Sequence, residues 1–458
     1  MIQRRIALVL NSGSSSLKFA AFDLAAPDLP AIVTGQVDPA DGDAAFAAID
    51  AALAKAGAPS PIAVGHRIVH GGPQLLRHCQ IDAEVIAKLE QAEPFAPLHV
   101  PAALALLATA TARYPGRAQI ACFDTVFHAG MPDIARTLPI PRSQRAAGLH
   151  RYGFHGLSCE SVVHQLGPNL PTRLVIAHLG NGASITAVRE GRSIDTSMGL
   201  TPSGGVIMGT RTGDIDPGVL IHLMRAGSYG PAEMEQLIDK EAGMLGISGR
   251  SGDMRVLHDA SPDADADLAV AMFCRSVGKQ IAAMMTALGG ADMIVFTGGI
   301  GEHDAPVREM ICADLAWAGV TLATSDGLTP KGVCIALARP SREEAVIVRH
   351  MRAIIPEAEV GEYRFRSRDA QTAPLCIFRS SKVGQRGATR LDSHSRNDHR
   401  DRMAHRSGDR RCTRTRTKPH IASTGSRALR PWLRHRPTAA RVHRMSASPR
   451  PMAIGLRR

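Results

Sequence analysis

Two distant stretches of the chain repeat one local design, and that repeat constrains the fold most. Ile6 to Asp23 reads IALVLNSGSSSLKFAAFD. Ile6–Leu10 and Leu17–Asp23 are apolar runs of strand-forming residues, and the residues between them are small hydrogen-bonding turn formers. This predicts a β-hairpin whose tip offers backbone N–H groups, hydroxyls and the Lys18 ammonium. Small side chains let an anion approach the backbone, and Gly13 tolerates a positive φ. The tip suits phosphate groups, although a solvated serine-rich turn has the same composition. Leu174–Val188, LVIAHLGNGASITAV, repeats the pattern with the turn Gly180-Asn181-Gly182-Ala183-Ser184, and a further strand follows at Ser193-Ile194. Two copies suggest two related domains, each turning a phosphate-gripping hairpin toward a shared cleft.

With 458 residues the chain has room for two domains. No run of about 18 apolar residues marks a transmembrane helix. The apolar stretch after the basic start is too short for a signal peptide. The eight cysteines are scattered without a CxxC pair, as expected of reduced, structural thiols. The expectation is a soluble, cytoplasmic protein. The net charge of +12 is uneven: residues 356–458 hold 25 Lys and Arg against 8 Asp and Glu, whereas residues 1–355 hold 29 against 34. The basic balance therefore gives no reason to expect residues 1–355 to bind nucleic acid.

Candidate functional residues recur at strand ends. IAVGHRIV (Ile62–Val69) is a buried-type strand containing Arg67, which must reach an anion or a cleft, or else snorkel from the strand end. A proline-rich loop, Pro94–Pro101, carries His99. IACFDTVFH (Ile120–His128) is a strand ending in Asp124, a position suited equally to catalysis and to helix capping. RYGFHGLS places His155 between glycines and aromatic rings, with no apolar periodicity to mark a core histidine. Ser197–Gly218 is a long Gly/Ser/Thr/Pro loop with one basic residue, Arg211, whose guanidinium suits an anionic group. LGISGRSGDMR (Leu245–Arg255) reads as a Gly/Ser turn ending in Asp253 and Arg255. MIVFTGGIG (Met293–Gly301) reads as a buried strand entering a glycine turn before a helix over Pro306–Trp317, a phosphate-seat arrangement. A last helix is expected over Val346–Ile355.

Taken in order, NSGSSSLKF, GHRIVHGG, FDTVFH, RYGFHG, HLGNGAS, MGTRTGDIDPG, SGDMR and FTGGIGE resemble the acetate kinases over roughly residues 5–355. The joint match is highly specific, although single pieces are not. The resemblance implies an α/β fold of duplicated actin-like, ribonuclease-H-like domains with an interdomain active-site cleft. Residues 1–128, completed by a helix over 344–355, would form the first domain, and residues 129–343 the second, nucleotide-binding domain. It implies transfer of the ATP γ-phosphoryl group to acetate, with Mg²⁺ or Mn²⁺ as cofactor and a homodimer as assembly. By resemblance Asn11 and Glu343 hold the metal and Lys18 contacts phosphate. Arg67 and Arg211 flank the acyl substrate, His155 and Arg211 stabilise the transition state, and Asp124 is the catalytic acid. His178, Leu179, Gly180, Asn181 and Gly182 hold the nucleotide, together with Asp253, Met254, Arg255 and the stretch Gly299, Ile300, Gly301, Glu302, His303. His99 matches a histidine near the active site. His303 stands where the family usually has Asn, and the segment between Gly319 and Arg342 is shorter than the pattern, which bears on Glu343. A propionate or other short-chain carboxylate kinase is the nearest alternative, and a non-catalytic ATPase-fold sensor or scaffold is another. The co-occurrence of Arg67, Asp124, His155 and Arg211 argues against the scaffold.

Residues 356–458 lack the pattern. They are rich in Arg, His, Ser and Pro, a composition that buries too little apolar surface to fold. They read either as a disordered arm for anionic surfaces or nucleic acid, or as out-of-frame translation of GC-rich sequence. The abrupt change in composition favours the second. Resequencing the 3′ end of the gene is expected to reveal a frame break near that change, and an intact single frame would remove the idea.

Overall fold

The computed structural model of the chain describes residues 4–13, 16–26, 29–38, 42–97, 99–227, 229–323 and 333–356. The 356–458 tail, apart from its first residue, and most of the shortened 319–342 segment's centre lie outside the described residues. Described residues form two mixed six-stranded sheets built to one plan. The first contains β1 (Ile6–Ser12), β2 (Leu17–Asp23), β3 (Ala31–Val37), β4 (Ala63–Ile68), β5 (Cys79–Gln80) and β6 (Ala118–Phe123). The second contains β7 (Arg173–Leu179), β8 (Ala183–Arg189), β9 (Arg192–Thr196), β10 (Met293–Thr297), β11 (Val320–Leu322) and β12 (Cys334–Ala338).

The strand order is β3-β2-β1-β4-β6-β5 in one sheet and β9-β8-β7-β10-β12-β11 in the other. Each begins as an antiparallel three-strand meander whose first strand pairs in parallel with a later strand, which in turn pairs in parallel with a third. The plans differ at one edge: β5 runs antiparallel to β6, whereas β11 runs parallel to β12. Hairpin register follows the sequence closely, with Ser12 opposite Leu17 and Leu179 opposite Ala183.

Strand residues alternate between two cores, as the period-2 pleat requires. In β1, Ile6, Leu8 and Leu10 pack with Phe46, Ile49 and Leu53 of helix Gly42–Lys55 and with Ala110 of helix Val100–Arg113. Ala7 and Val9 face the opposite way, onto Val346, Ile347 and Met351 of helix Glu343–Ile354. That last helix thus returns from the second sheet to cover the first. Helix Gly156–Leu166 covers one face of the second sheet through Cys159, Val162 and Leu166, and helix Ala264–Leu288 covers the other through Phe273, Val277 and Ile281. Helix Ala264–Leu288 is long and apolar enough by composition to cross a membrane. Its packing here is that of a core helix, and Asp265, Asp267, Arg275 and Lys279 punctuate it, which is why no unbroken apolar run shows in the sequence.

Three local expectations need correction. Leu245–Arg255 is not one turn: helix Gly243–Ser248 takes up its first four residues and helix Met254–Ala260 begins at its end. The glycine turn after β10 is helical, Gly298–His303, because Gly298 takes φ 78° and redirects the chain straight from strand to helix. His99 does not sit mid-loop but immediately precedes helix Val100–Arg113.

Gly65 in β4 lets helix Glu343–Ile354 lie close: a Cβ there would stand 2.7 Å from Ile347 Cγ2 and 2.5 Å from Met351 Sδ. Gly65→Val is therefore expected to lift this helix and cost about 1–3 kcal/mol, as overpacking does. Urea unfolding should show a lower midpoint with an unchanged slope.

Candidate active site

The two hairpins face a common cavity of about 500 Å³. Its walls are the C-terminal ends of neighbouring strands and the helices that follow them, where α/β sheets present ligand sites. From the first sheet come Asn11, Ser12, Gly13, Ser16 and Lys18 of the hairpin, Arg67 and Val69 at the end of β4, and Asp124 after β6. From the second come His178, Gly180, Asn181 and Gly182 of its hairpin, and Gly298, Gly299, Glu302 and His303 after β10. Phe154, His155, Pro202, Arg211, His99, Ser341, Glu343 and Glu344 complete it.

Arg67 is the hub. Its guanidinium donates to Asp124 Oδ2 at 2.5 Å and to the Ser12 carbonyl at 2.9 Å, and Nε lies 3.7 Å from Glu343. The adjacent parallel strands place Arg67 beside Cys122 in register, so Asp124 lies just past it. Asp124 is 1% exposed. Burial pushes its carboxyl up to about 6 while Arg67 pulls the other way, so it is ionised at neutral pH. Burial acts on Glu343 in the same sense, but Arg67 and His178 outweigh it and hold the carboxyl below its ordinary value. Asn11 Nδ2 bridges Glu343 (3.0 Å) and Glu344 (2.8 Å).

His155 sits in the left-handed region at φ 58°, which a non-glycine residue seldom adopts. Two contacts hold it there. Its Nδ1 meets Ser184 Oγ at 3.0 Å, and its ring stacks on His178 at 4.1 Å between centroids. Next to it, Gly156 N–H donates to the Asp124 carbonyl, so close that a Cβ at 156 would stand 2.2 Å from that oxygen. Burial first, then the neighbouring His178, Arg67 and Arg211, keeps His155 well below its ordinary pKa. Burial lowers His178 to about 4. Both rings are neutral at pH 7. In the tautomer in which Ser184 Oγ donates to Nδ1, His155 Nε2 carries the proton and can donate to a ligand. Arg211 Nη1 and His155 Nε2 converge: a Cβ at Gly182 would lie 3.0 and 3.4 Å from them. Arg211 is held loosely, by the Pro202 carbonyl at 3.4 Å and Met208 Sδ at 3.8 Å, which leaves donors for an anion. His99 lines the same wall and is lowered to about 4 by burial and then by Arg211 and Arg67.

The residues at the Asn11 end fit a hard divalent cation. Asn11 Oδ1 and the carboxylates of Glu343 and Glu344 are hard oxygen donors, and the buried Asp124 Oδ1 has no hydrogen-bond partner.

Of the residues singled out in the sequence, Asn11, Lys18, Arg67, Asp124, His155, His178, Gly180, Asn181, Gly182, Arg211, Gly299, Glu302, His303 and Glu343 line the cavity. Five do not. Leu179 and Met254 are core residues, alternate positions on a strand and a helix that point inward. Gly301 is buried and, with Ile300, lies outside the lining. Asp253 caps helix Met254–Ala260 and pairs with Arg255, which is 87% exposed on its side chain. Val69, Phe154, Pro202, Ser341 and Glu344 were not singled out as site residues. Val69 and Phe154 lie within quoted motifs, but no local signal marks Ser341, which tertiary folding alone brings in.

Comparison with known proteins agrees with this architecture. The acetokinase family matches residues 32–350. An acetate kinase of Rhodopseudomonas palustris is 41% identical over 304 residues, covering 63% of this chain and 76% of its own length. One from Micrococcus luteus is 41% identical over 351 residues, covering 71% and 90%. Among solved structures, acetate kinase of Porphyromonas gingivalis superposes with a TM-score of 0.66 at 35% identity, covering 76% of this chain and 99% of its own. A propionate kinase of Francisella tularensis gives 0.70 at 32% identity, covering 77% and 100%.

Arg67→Gln is expected to strand the buried Asp124 carboxylate and cost about 3–5 kcal/mol at neutral pH. In that variant Asp124's folded pKa would rise further above its unfolded value. The protonated form then favours folding, so stability should recover as pH falls through the folded pKa and be lost as pH rises. In denaturant titrations between pH 4 and about 8, a loss of stability with rising pH no steeper than in wild type would show that Arg67 does not compensate Asp124. With two copied sheets, a shared cleft at their strand ends and these relatives, the chain belongs to the acetokinase family.

Proposed function

We propose that the chain transfers the γ-phosphoryl group of ATP to acetate, reversibly and by direct in-line displacement, giving acetyl phosphate and ADP. One observation carries the reading: Arg67, Asp124, His155 and Arg211, drawn from four separate segments, meet in a single cavity flanked by two anion-suited hairpins. Acetate is ionised near pH 7, so the nucleophile needs no base. The obstacle is repulsion between two anions.

Arg67, pinned by Asp124, faces the acyl carboxylate. Asp124 serves to orient Arg67 rather than to move a proton. Arg211 and the neutral His155 Nε2–H donate to the equatorial oxygens of the transferring group, and Lys18 meets the phosphates. The hairpin His178–Gly182 and the residues Gly299, Glu302 and His303 hold the nucleotide. A Mg²⁺ or Mn²⁺ ion held by Asn11 and Glu343 would offset phosphate charge. A loose phosphoryl transition state depends chiefly on such positioning and charge. Val69, Phe154 and Pro202 supply the apolar lining for a short acyl chain. One methylene in such a pocket is worth only about 1–3 kcal/mol, so propionate should react with lower kcat/KM rather than be excluded. Helix Pro217–Arg225 buries no side chain and exposes Val219, Ile221 and Met224, surface that suits the expected homodimer.

Acetyl phosphate trapped as its hydroxamate, with ATP, Mg²⁺ and acetate, tests the activity. Arg211→Ala should lower kcat by about 10²-fold or more. Turnover near wild type in that variant would refute the assignment, and ATP binding without acyl phosphate would favour a scaffold.

A further inference from the structure

Two helices that meet between the sheets begin at the cleft. His155 immediately precedes helix Gly156–Leu166, and Glu343 opens helix Glu343–Ile354. A seam of polar contacts joins them. Ser158 Oγ meets Ser341 Oγ at 3.1 Å, Ser161 Oγ accepts from Arg342 N–H at 2.9 Å, and Gln165 donates to the Pro340 carbonyl at 2.8 Å. These three residues fix the first helix to the lead-in of the second, but none reaches the second helix's body. Glu160 does: its carboxylate accepts from His350 Nε2 at 2.9–3.0 Å. His164, one turn along, approaches the same carboxylate at 3.3 Å, and the His78 ring packs on His350 at 4.0 Å. Burial would raise Glu160, but His164 and His350 outweigh it and lower the carboxyl to about 2, so it stays ionised.

Ligand atoms of His78, Glu160 and His350 lie within 4.8 Å of one another, the spacing of a cation site. As built, the cluster is not one. Phe123 N–H donates to His78 Nδ1 at 3.1 Å, which puts the proton of the neutral ring on Nε2 and leaves no free lone pair.

We propose that Glu160 and His350 are a positioning pair: their hydrogen bond locks the two helices together and so sets how far His155 stands from Glu343 across the cleft. Neither residue lines the cavity, and both act through the helix starts. The inference rests on the carboxylate-kinase reading for its kinetic consequence but on the seam geometry for the lock itself.

The test compares wild type, His350→Ala, His350→Gln, Glu160→Ala and the double variant Glu160→Ala/His350→Ala in acyl phosphate formation. A misplaced catalytic group costs rate, so His350→Ala should lower kcat about tenfold while KM for ATP and acetate moves less than about threefold. His350→Gln keeps an N–H donor and should recover to within about twofold of wild type. The double variant should be no slower than the slower single variant, because both remove one interaction. Unchanged kcat in His350→Ala, an effect confined to KM, or multiplying effects would overturn the proposal. Absent turnover in wild type would sink the carboxylate-kinase reading instead. The lock is then read from unfolding midpoints of the wild-type, single-alanine and double-alanine proteins: non-additive shifts support it, and additive shifts overturn it.

Discussion

The structure depends on one buried cation. Arg67 lies within an apolar strand, where an unpaired guanidinium would be prohibitive. Its compensation is assembled from three directions: the Asp124 carboxylate, the Ser12 carbonyl and, farther off, Glu343. Those partners come from neighbouring parallel strands and from the last described helix, about 220 residues downstream of Asp124. Charge compensation therefore ties hairpin, sheet and closing helix to one point. The same point holds a positive group where a carboxylate and a phosphate must meet.

Duplication explains why the cleft exists. Each sheet ends its parallel strands on the cleft side, and each hairpin tip stands beside those ends. Two like surfaces turned toward each other give opposed sets of backbone donors. Cationic side chains are then added singly, Arg67 from one half and Arg211 from a long loop of the other. Glu343 and Glu344 collect beside Asn11, and Arg67 joins Asp124 to this acidic group, so the donors suited to a cation and those suited to anions meet at one point.

The seam between the halves carries a different constraint. Helix Gly156–Leu166 belongs to the core of the second sheet, yet Leu157 packs into the core of the first. Helix Glu343–Ile354 follows β12 in the second sheet and covers the first. Each half is closed by contact with the other, and the residues at the helix starts inherit their positions from that contact. The strained φ of His155 fits this picture, since a left-handed residue persists only where its surroundings over-determine it.

The hairpins and the buried strands were legible because their signals are local: apolar runs bounded by small turn residues. So were most cavity residues, which sit beside glycines at strand ends. The helix at Gly298–His303 was not, because glycine at its start reads as a turn until the strand before it fixes the direction. Leu179 and Met254 lie inside recognised motifs, yet their side chains point into the core, which motif membership alone does not reveal. The sequence by itself determined that two copies of a strand–turn–strand unit would each form a sheet with an anion-suited tip, since that follows from short-range pattern and backbone sterics. Only the tertiary structure decided that Arg67 would be neutralised by Asp124, that Ser341 and Glu344 would join the cavity, and that Glu160 would meet His350. Those pairings join segments far apart in the chain, and their energies depend on burial and distance that no local pattern encodes.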